Sequence, residues 1–562
     1  MTDIPADVST TAFLNFDGQN STSFNGFFEA NLSGDQDFIR FFVSTTTDVQ
    51  FYLSMQGIGS SSVANPQVSL FDGNGGFIDT DFDSGVGGNA LLLRNLAPGT
   101  YFVAPAAFNG QTAGAYSLFV TTNRLTDQLL TTGDDVRSGN LPGGRYLGGF
   151  GDDIIDLSGT TFSSIDALGE EGDDTLTGNA FVNVLSGGTG GDSLDGRAGN
   201  DILFGDQGDD SLLGGTDNDR LYGGDGRDLL NGGSGNDILR GDDGEDVLFG
   251  GDNDDQMDGG AGDDFLFGEA GTDELNGGDG NDTLDGGAGS DFYTVDAGDI
   301  IVETAGNGID VVSARTSFVL AADDDIERLQ TTNTFGTQAI NLTGNGLAQE
   351  IFGNAGNNIL DGGAAGFDGV NDNLFGFDGN DTYVLGNGRD TVFDTSGIDT
   401  ITSTITRSLL TFSGIENITL VGTGSFSAIG SNGANVLIGN SATNRLTGGE
   451  GKDTLTGGGG RDFFDYNRTT ESRTTSRDLI KDFARKSDDI DLSTIDASTR
   501  AGGDQAFTFI GSAAFSRTAG ELHAIRVGSL IRVEGDTNGD GRADFAIDVM
   551  GTAPLVAGDF IL

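Results

Sequence analysis

Residues 169–294 decide the fold, because they divide without remainder into fourteen nonapeptides: GEEGDDTLT, GNAFVNVLS, GGTGGDSLD, GRAGNDILF, GDQGDDSLL, GGTDNDRLY, GGDGRDLLN, GGSGNDILR, GDDGEDVLF, GGDNDDQMD, GGAGDDFLF, GEAGTDELN, GGDGNDTLD and GGAGSDFYT. Position 1 is glycine in every repeat, position 6 is aspartate in all but one, and position 8 is leucine in twelve. Three positions held in phase over such a length indicate a true internal repeat. The array is therefore predicted to be a solenoid.

Each position of the nonapeptide predicts a backbone or packing role. Glycines at positions 1, 2 and 4 are expected to supply positive φ angles and to let carbonyl groups converge. Positions 7 to 9 are predicted to form a very short strand whose position-8 side chain points inward. Because consecutive strands run on opposite sides, two nonapeptides complete one turn, and the leucines of both sides fill a thin core.

The rest of the chain divides around this array. Residues 1–123 alternate Phe, Val and Leu with Gly and Asn turns, which predicts a β-sandwich. Residues 124–147 are predicted to be a linker, 148–294 the roll, 295–465 an interrupted roll, and 466–562 a β-rich cap. The interrupted part holds two spacers that look duplicated, because the acids of one recur 89 to 91 residues later in the other. The pairs are Asp299 with Asp390, Glu303 with Asp394, Asp310 with Asp399, and Glu327 with Glu416.

Composition restricts the function. The 87 acidic and 27 basic residues leave a net charge of −60, so nucleic acid and anionic membranes are poor partners and cations are natural ones. The absence of cysteine excludes disulfides and thiol chemistry. A single histidine, His523, excludes zinc sites that need several. We therefore expect a protein that is not an enzyme.

No ordinary targeting segment is visible. The start, MTDIPADVSTTAFLNF, lacks the cationic and apolar regions of a signal peptide. No stretch reaches the ~18 apolar residues of a transmembrane helix. An export address is therefore expected elsewhere in the chain.

The array resembles the repeats-in-toxin nonapeptide, whose consensus G-G-x-G-x-D-x-U-x binds Ca²⁺. The resemblance implies an all-β chain built on a parallel β-roll solenoid, with multiple calcium ions held along each edge by turn carbonyls and position-6 carboxylates. The array carries 32 acids and four arginines, so its carboxylates should prevent folding without cations. We call the turn of each repeat, with its position-6 residue, a corner of the roll. Asn183 replaces the aspartate in one repeat, and the corner of that repeat is expected to lack an ion. The candidate ligands at position 6 are Asp153, Asp174, Asp192, Asp201, Asp210, Asp219, Asp228, Asp237, Asp246, Asp255, Asp264, Asp273, Asp282, Asp291, Asp381, Asp453 and Asp462.

A second kind of calcium motif lies near the C-terminus. Asp536, Asn538 and Asp540 have the D-x-N-x-D-G spacing that begins a calcium loop, without the glutamate that completes an EF-hand. These three residues are further candidate ligands. A plain hydrogen-bonded hairpin explains the same string equally well, so both interpretations stay open.

The two ends of the chain resemble known modules. Asp482-Phe483, the run from Asp488 to Ser493 and the final Asp559-Phe560-Ile561-Leu562 resemble the C-terminal domain of serralysin-type metalloproteases. That resemblance implies a cap on the roll and an uncleaved type I export signal, and hence a protein that is secreted to the exterior or surface of a Gram-negative bacterium. The protease domain itself is not implied, because no H-E-x-x-H occurs. Residues 10–122 look like the pre-peptidase C-terminal domain.

The outward positions of the roll suggest self-association. Residues 18 apart should stack, which lines up Leu229, Val247 and Phe265, with Phe249 and Phe267 beside them. Exposed apolar columns mark interfaces, so we expect a homo-oligomer or larger assembly. A second group of the same kind is Ile202, Phe204, Tyr222 and Ile238.

These observations favour a secreted calcium-binding protein with a structural or self-assembling role at the cell surface or in the extracellular matrix. One alternative is an adhesin whose sandwich binds surface polysaccharide. Another is an enzyme or accessory factor of the secreted-protease type that lacks the zinc domain.

Overall fold

The computed structural model describes residues 133–562, except 140, 142–143, 163–164, 304–307, 364–369 and 387–388, and the backbone of the strands before residue 133. It divides into two compact units, Met1–Asp228 and Leu229–Leu562. The described part is almost entirely strands and turns. Its helical segments are two short 3-10 turns, Leu409–Thr411 and Ala557–Asp559.

The strands before residue 124 lie in two sheets. The first has the order Leu14–Phe16, Ile39–Val43, Gly99–Ala107, Pro66–Asp72, Phe77–Phe82. The second is antiparallel and has the order Phe27–Phe28, Tyr116–Asn123, Thr47–Met55, Ala90–Leu96. The side chains of the predicted sandwich, and with them its resemblance to the pre-peptidase domain, lie outside the described residues.

The first unit continues as two parallel sheets whose strands alternate along the chain. One sheet contains Gln128–Leu129, Arg145–Phe150, Asp166–Glu171, Val184–Thr189, Ile202–Gln207 and Arg220–Asp225. The other contains Val136–Arg137, Ile154–Asp156, Thr175–Thr177, Ser193–Ala198 and Ser211–Thr216. The predicted linker, residues 124–147, therefore already contributes strands to the roll.

The second unit begins with two parallel sheets of the same kind. One contains Leu229–Ser234, Val247–Asp252, Phe265–Gly271, Thr283–Asp285 and Ile300–Ile301, with Ala288–Gly289 beside Phe265–Gly271. The facing sheet contains Ile238–Asp243, Gln256–Ala261, Glu274–Asp279, Phe292–Val295, Val311–Ala314, Arg328–Thr331, Glu350–Phe352, Asn373–Asp378 and Thr391–Ser396.

Two further sheets complete the second unit. The longer one contains Phe318–Val319, Leu342–Thr343, Ile359–Asp361, Thr382–Leu385, Thr400–Ser403, Asn417–Leu420, Val436–Ile438, Thr454–Thr456, Leu479–Ile480, Phe545–Met550, Leu530–Asp536, Glu521–Val527 and Thr508–Phe509. The shorter one contains Arg407–Ser408, Ser427–Ile429, Arg445–Thr447, Phe463–Asp465, Asp489–Asp491 and Phe560–Ile561. Both begin as parallel roll, and the longer sheet continues into a cap in which Phe545–Met550, Leu530–Asp536 and Glu521–Val527 are antiparallel.

The repeat length sets the strand register. Leu194 pairs with Leu212, and Leu248 pairs with Leu266. The partners are 18 residues apart in each pair, which is the length of two nonapeptides and of one turn of the roll. The position-8 side chains are fully buried throughout the described array, as predicted. Each such leucine contributes about 1.5–3 kcal/mol by leaving water. One inward residue per strand is enough to make a core, because the two sheets face each other closely.

The spacers belong to the roll. Phe292 pairs with Val311 and Val311 with Arg328, all in parallel, so residues 295–329 add strands to the same sheet. The interruptions expected from the sequence are therefore longer coils in the described part of the chain. The repeated acids of the spacers consequently arrive at the same edges as the aspartates of the array.

Candidate metal centre

Position-6 aspartates of successive coils are joined by a ladder of hydrogen bonds. In the first unit, the N–H of Asp174 donates to Oδ1 of Asp192, and the N–H of Asp192 donates to Oδ1 of Asp210, each at 2.7 Å. In the second unit, the N–H of Asp264 donates to Oδ1 of Asp282 at 2.9 Å. One oxygen of each carboxylate thus satisfies a buried backbone donor of the preceding coil.

The other oxygen, Oδ2, is buried and has no hydrogen-bond partner in most of these carboxylates. An ionised carboxylate in that state is costly, so each corner requires either a proton or a cation. The predicted ligands that show this state are Asp153, Asp174, Asp192, Asp201, Asp210, Asp255, Asp264, Asp273, Asp282, Asp291, Asp381 and Asp453. Asp219, Asp228, Asp237, Asp246 and Asp462 are buried at equivalent positions.

The glycine at position 1 leaves the space beside this oxygen. A Cβ atom on Gly259 would lie 2.5 Å from the carbonyl oxygen of Gly277 and would overlap Oδ2 of Asp264. The space therefore lies between a carboxylate oxygen of one coil and a carbonyl oxygen of the next. A single methyl group would fill it.

The prediction for glycine conformations needs one correction. Most residues at positions 2 and 4 do adopt positive φ, including the non-glycine residues Arg197, Asp217 and Asn253 with φ of 75°, 76° and 81°. Position-1 glycines such as Gly187 and Gly259 are not among the residues with positive φ. The sequence requires glycine there for space and not for backbone freedom.

Electrostatics at the corners oppose ionisation. Burial raises the pKa of Asp192 to about 7 and the pKa values of Asp201 and Asp255 to about 8. The backbone N–H of the preceding coil lowers each pKa in part, and neighbouring carboxylates raise it further. A divalent cation would remove this penalty.

The donor set fits calcium. The atoms around each space are carboxylate and carbonyl oxygens, and calcium binds through 6–8 oxygens in flexible geometry. The aspartate Oδ2 atoms and the position-1 glycine carbonyls would hold the ion. When bound, it would supply the positive charge that lets neighbouring carboxylates ionise together.

Two family models match the chain at these features. "RTX calcium-binding nonapeptide repeat (4 copies)" matches residues 168–203, 177–212, 204–239, 231–266, 267–299 and 343–365. "Peptidase M10 serralysin C terminal" matches residues 370–562. The chain carries RTX calcium-binding repeats and a serralysin C-terminal domain. These assignments make it a secreted calcium-binding β-roll protein of the type I export route of Gram-negative bacteria.

Other comparisons add little. No curated protein matched the chain. Among solved structures, the catalytic unit of a thermostable GH87 alpha-1,3-glucanase from Streptomyces thermodiastaticus is 12% identical, covers 73% of this chain and 92% of its own, and has a TM-score of 0.17. A GH87 alpha-1,3-glucanase catalytic-domain variant in complex with nigerose is 8% identical, covers 78% and 93%, and has a TM-score of 0.16. Likenesses this weak carry no argument.

The described residues contain no helix long and apolar enough to cross a membrane.

Where asparagine replaces aspartate at position 6 of the RTX roll, its side-chain amide donates a hydrogen bond to the protein itself. Nδ2 of Asn183 donates to the carbonyl oxygen of Ile165 at 2.7 Å, one coil earlier. Asn358 donates to Ile340 in the same way at 2.9 Å. The side-chain amide of each asparagine thus donates to a carbonyl oxygen of the preceding coil, and the absence of an ion from the Asn183 corner stays a prediction.

The ladder extends to acids that the sequence interpretation did not assign as ligands. The N–H of Asp381 donates to Oδ1 of Asp399 at 2.7 Å, and that of Asp453 to Oδ1 of Asp478 at 2.9 Å. Oδ2 of both acceptor residues is buried without a partner. For Asp399, the duplicated spacer pattern was the signal that could have found it. Asp478 lies 25 residues beyond Asp453, which is not a multiple of nine, so the nonapeptide phase could not predict it as a ligand.

The Asp536 loop is held by its own hydrogen bonds. Both carboxylate oxygens of Asp536 accept backbone N–H groups, from Gly539 at 2.6 Å and Gly541 at 2.8 Å. Oδ1 of Asn538 accepts the N–H of Asp540 at 2.9 Å. This is the geometry of the hairpin alternative, and the role of Asp536, Asn538 and Asp540 as ligands stays a prediction.

Proposed function

We propose that this protein is a non-enzymatic structural component of the cell surface or extracellular matrix, which assembles through the outward faces of its calcium-loaded roll. The observation that carries the proposal is a set of apolar columns on strands whose other outward positions are polar. The position-6 carboxylates are the ligands of its ions.

The first column lies in the sheet that starts at Leu229. Leu229 pairs with Val247 and Val247 with Phe265, so their side chains stack on one face. Phe249 and Phe267 lie beside them with ring centroids 4.9 Å apart. Leu229 is 44% and Phe265 48% exposed. An apolar column left open on a highly charged protein is typical of an interaction surface.

A second column supports the same function. Phe352, Phe375 and Phe393 stack with centroid distances of 4.4 and 4.6 Å, and Phe393 is 47% exposed. The guanidinium of Arg328 lies 5.3 Å from the ring centre of Phe352. Aromatic side chains and arginine are enriched in protein interfaces.

The group around Tyr222 supports assembly less well than expected. Tyr222 is stacked on Phe204 but is only 6% exposed. Its ring is therefore part of the packed protein and not of a free surface. The assembly surface is better assigned to the Phe249 and Phe352 columns.

The lone histidine is in a packing environment. His523 is stacked on Phe515, and its ring nitrogens lie 2.9 Å from Glu534 Oε2 and from the carbonyl oxygen of Ala513. These contacts support a role in holding the cap together. The polysaccharide alternative depends on the sandwich and stays a prediction, as does the accessory-factor alternative.

Light scattering with and without calcium tests the proposed function. We expect large species in millimolar calcium for the wild type, and their loss in Phe249→Asp combined with Phe267→Asp, with calcium-induced folding unchanged. Thr175→Asp with Ser193→Asp, at outward positions that are already polar, is the matched control and should still assemble. A wild type that stays monomeric in millimolar calcium would overturn the proposal.

A further inference from the structure

Two carboxylate clusters, buried except for the half-buried Asp394, lie where nonapeptide repeats lead into the spacers. One is Asp291, Glu303 and Asp310, and the other is Asp381, Asp394 and Asp399. Within each cluster the three carboxylate oxygens lie within 4.8 Å of one another. The clusters correspond member by member, 89 to 91 residues apart in sequence. Each adds two spacer acids to one position-6 aspartate.

In the first cluster, every carboxylate is held in place. The N–H of Asp291 donates to Oδ1 of Asp310 at 2.8 Å. The hydroxyl of Tyr293 donates to Oε2 of Glu303 and accepts the N–H of Gly286 at 2.9 Å. Oδ2 of Asp291 is fully buried and has no hydrogen-bond partner.

That free oxygen faces the same space as the tyrosine. A Cβ atom on Gly286 would lie 2.6 Å from Oδ2 of Asp291 and would overlap the hydroxyl of Tyr293. The charged groups that act on Glu303 are Asp310, Asp291 and Asp285, all negative. The cluster therefore gathers charge of one sign around a small space.

The second cluster repeats this arrangement. The hydroxyl of Tyr383 donates to Oδ2 of Asp394, and the N–H of Asp381 donates to Oδ1 of Asp399 at 2.7 Å. Oδ2 of Asp381 and Oδ2 of Asp399 are buried without partners. A Cβ atom on Gly376 would overlap Oδ2 of Asp381 and lie 2.9 Å from Oδ2 of Asp394.

A nonapeptide corner does not have this composition. Between Asp192 and Asp210, and between Asp264 and Asp282, a backbone N–H of one coil donates to a single position-6 carboxylate of the next. Here a spacer acid, fixed by a tyrosine from the neighbouring strand, comes in as a third carboxylate. The same tyrosine-held acid occurs in two separate coils, which indicates that both clusters have the same function.

We propose that each cluster is a calcium site of a second type, in which the tyrosine-held spacer acid, Glu303 or Asp394, is a ligand together with the two ladder aspartates. Oxygens up to 4.8 Å apart can surround one ion with the 2.3–2.6 Å bonds of calcium. All donors are oxygens, as calcium prefers. The ion would tie each long spacer coil to the roll. This inference is independent of the assembly proposed above.

Counting bound calcium in the full-length protein tests the proposal. We expect Glu303→Gln and Asp394→Asn each to bind one ion fewer than the wild type by equilibrium dialysis, and the double variant two fewer. Glu274→Gln removes an exposed carboxylate from an outward position of the array and should keep the wild-type count. An unchanged count and affinity in the double variant would overturn the proposal.

Tyrosine variants keep the test decisive if the acid variants do not fold. Tyr293→Phe and Tyr383→Phe retain every carboxylate, and losing a group that orients a ligand typically weakens metal binding about 10–100-fold. The chain has no tryptophan, so terbium emission on ultraviolet excitation reports tyrosines near bound ions. We expect the double Phe variant to lose more of this emission than Tyr222→Phe. Equal emission from the two would count against the sites.

Discussion

At the scale of single residues, the second side-chain atom at position 6, Oδ2 of aspartate or Nδ2 of asparagine, decides whether a corner needs a cation. At position 6, Asp264 accepts the N–H of Asp246 in the preceding coil, whereas Asn183 accepts the N–H of Asn179 in its own repeat. Asparagine also has an N–H₂ group to donate to the previous coil, whereas aspartate presents a second negative oxygen with no donor. The choice of Asp or Asn at position 6 therefore predicts which corners of the roll need a bound cation.

This contrast predicts different effects for two substitutions of Asp264. In calcium, both Asp264→Asn and Asp264→Ala should lower ion binding at the adjoining corners. Asp264→Ala should be the less stable by about 1–3 kcal/mol, because alanine can make neither of the two buried hydrogen bonds by which Asn183 holds its corner. Urea unfolding in saturating calcium measures the difference. Equal free energies of unfolding for the two variants would contradict this contrast.

The raised pKa values predict how pH acts on the ion-free protein. Burial raises the pKa of Asp192 to about 7 and of Asp201 to about 8, against 3.8 for an unperturbed aspartate. At these aspartates the folded chain holds protons more tightly than the unfolded chain, so their contribution to stability is full below about pH 4 and is lost as pH rises to about 8. In chelator, circular dichroism should show β structure fading across that range. Calcium should restore it most at the alkaline end, because the ligands must lose their protons to bind.

At the scale of elements, the last strand links folding to export. Phe560–Ile561 pairs in parallel with Asp489–Asp491, and Asp559 is 1% exposed beside Arg485. The folded cap thus hides the terminal acid that the serralysin resemblance assigns to export. We therefore expect the signal to be recognised in the unfolded chain, which is the state expected at low calcium.

Removing this strand should block secretion. We expect deletion of residues 559–562, or of everything after residue 480, to hold the protein in the cells, as measured by immunoblots of cells and medium. Asp504→Asn, an exposed acid of the same domain, is the control and should be exported. Normal secretion of both truncations would refute the assignment.

At the scale of the whole molecule, calcium and folding should be one equilibrium. The array has 32 acids against four arginines, and carboxylates such as those of Asp192 and Asp264 each have a buried oxygen without a donor. Chelator at neutral pH should remove the β signal, and calcium near ~10⁻⁴–10⁻³ M, the range of extracellular modules, should restore it. Magnesium is the control and should restore less, because it demands near-ideal octahedral geometry. A spectrum that chelator leaves unchanged would argue against coupled folding.

The nonapeptide phase alone predicted the coil length, the buried leucines and the position-6 carboxylates. It could do so because neighbouring coils repeat the same residues, so that one repeat specifies its own environment. The glycine at position 1 was predicted for the wrong reason, since a sequence shows that a side chain is missing but not which oxygens fill its place. The ion-free corner at Asn183 stays a prediction, which rests on the absent carboxylate that is visible in the sequence.

Only the tertiary structure decided what the spacers do. Their length breaks the phase, so the sequence showed duplicated acids without saying where the acids lie. Parallel pairing of Phe292–Val295 with Val311–Ala314 brings Asp310 to the edge that holds Asp291, and Tyr293 fixes Glu303 beside them. Residues more than one repeat apart meet only through the way in which the coils stack. The fold of the nonapeptide repeats could therefore be predicted from the sequence, whereas the clusters around Glu303 and Asp394 could not.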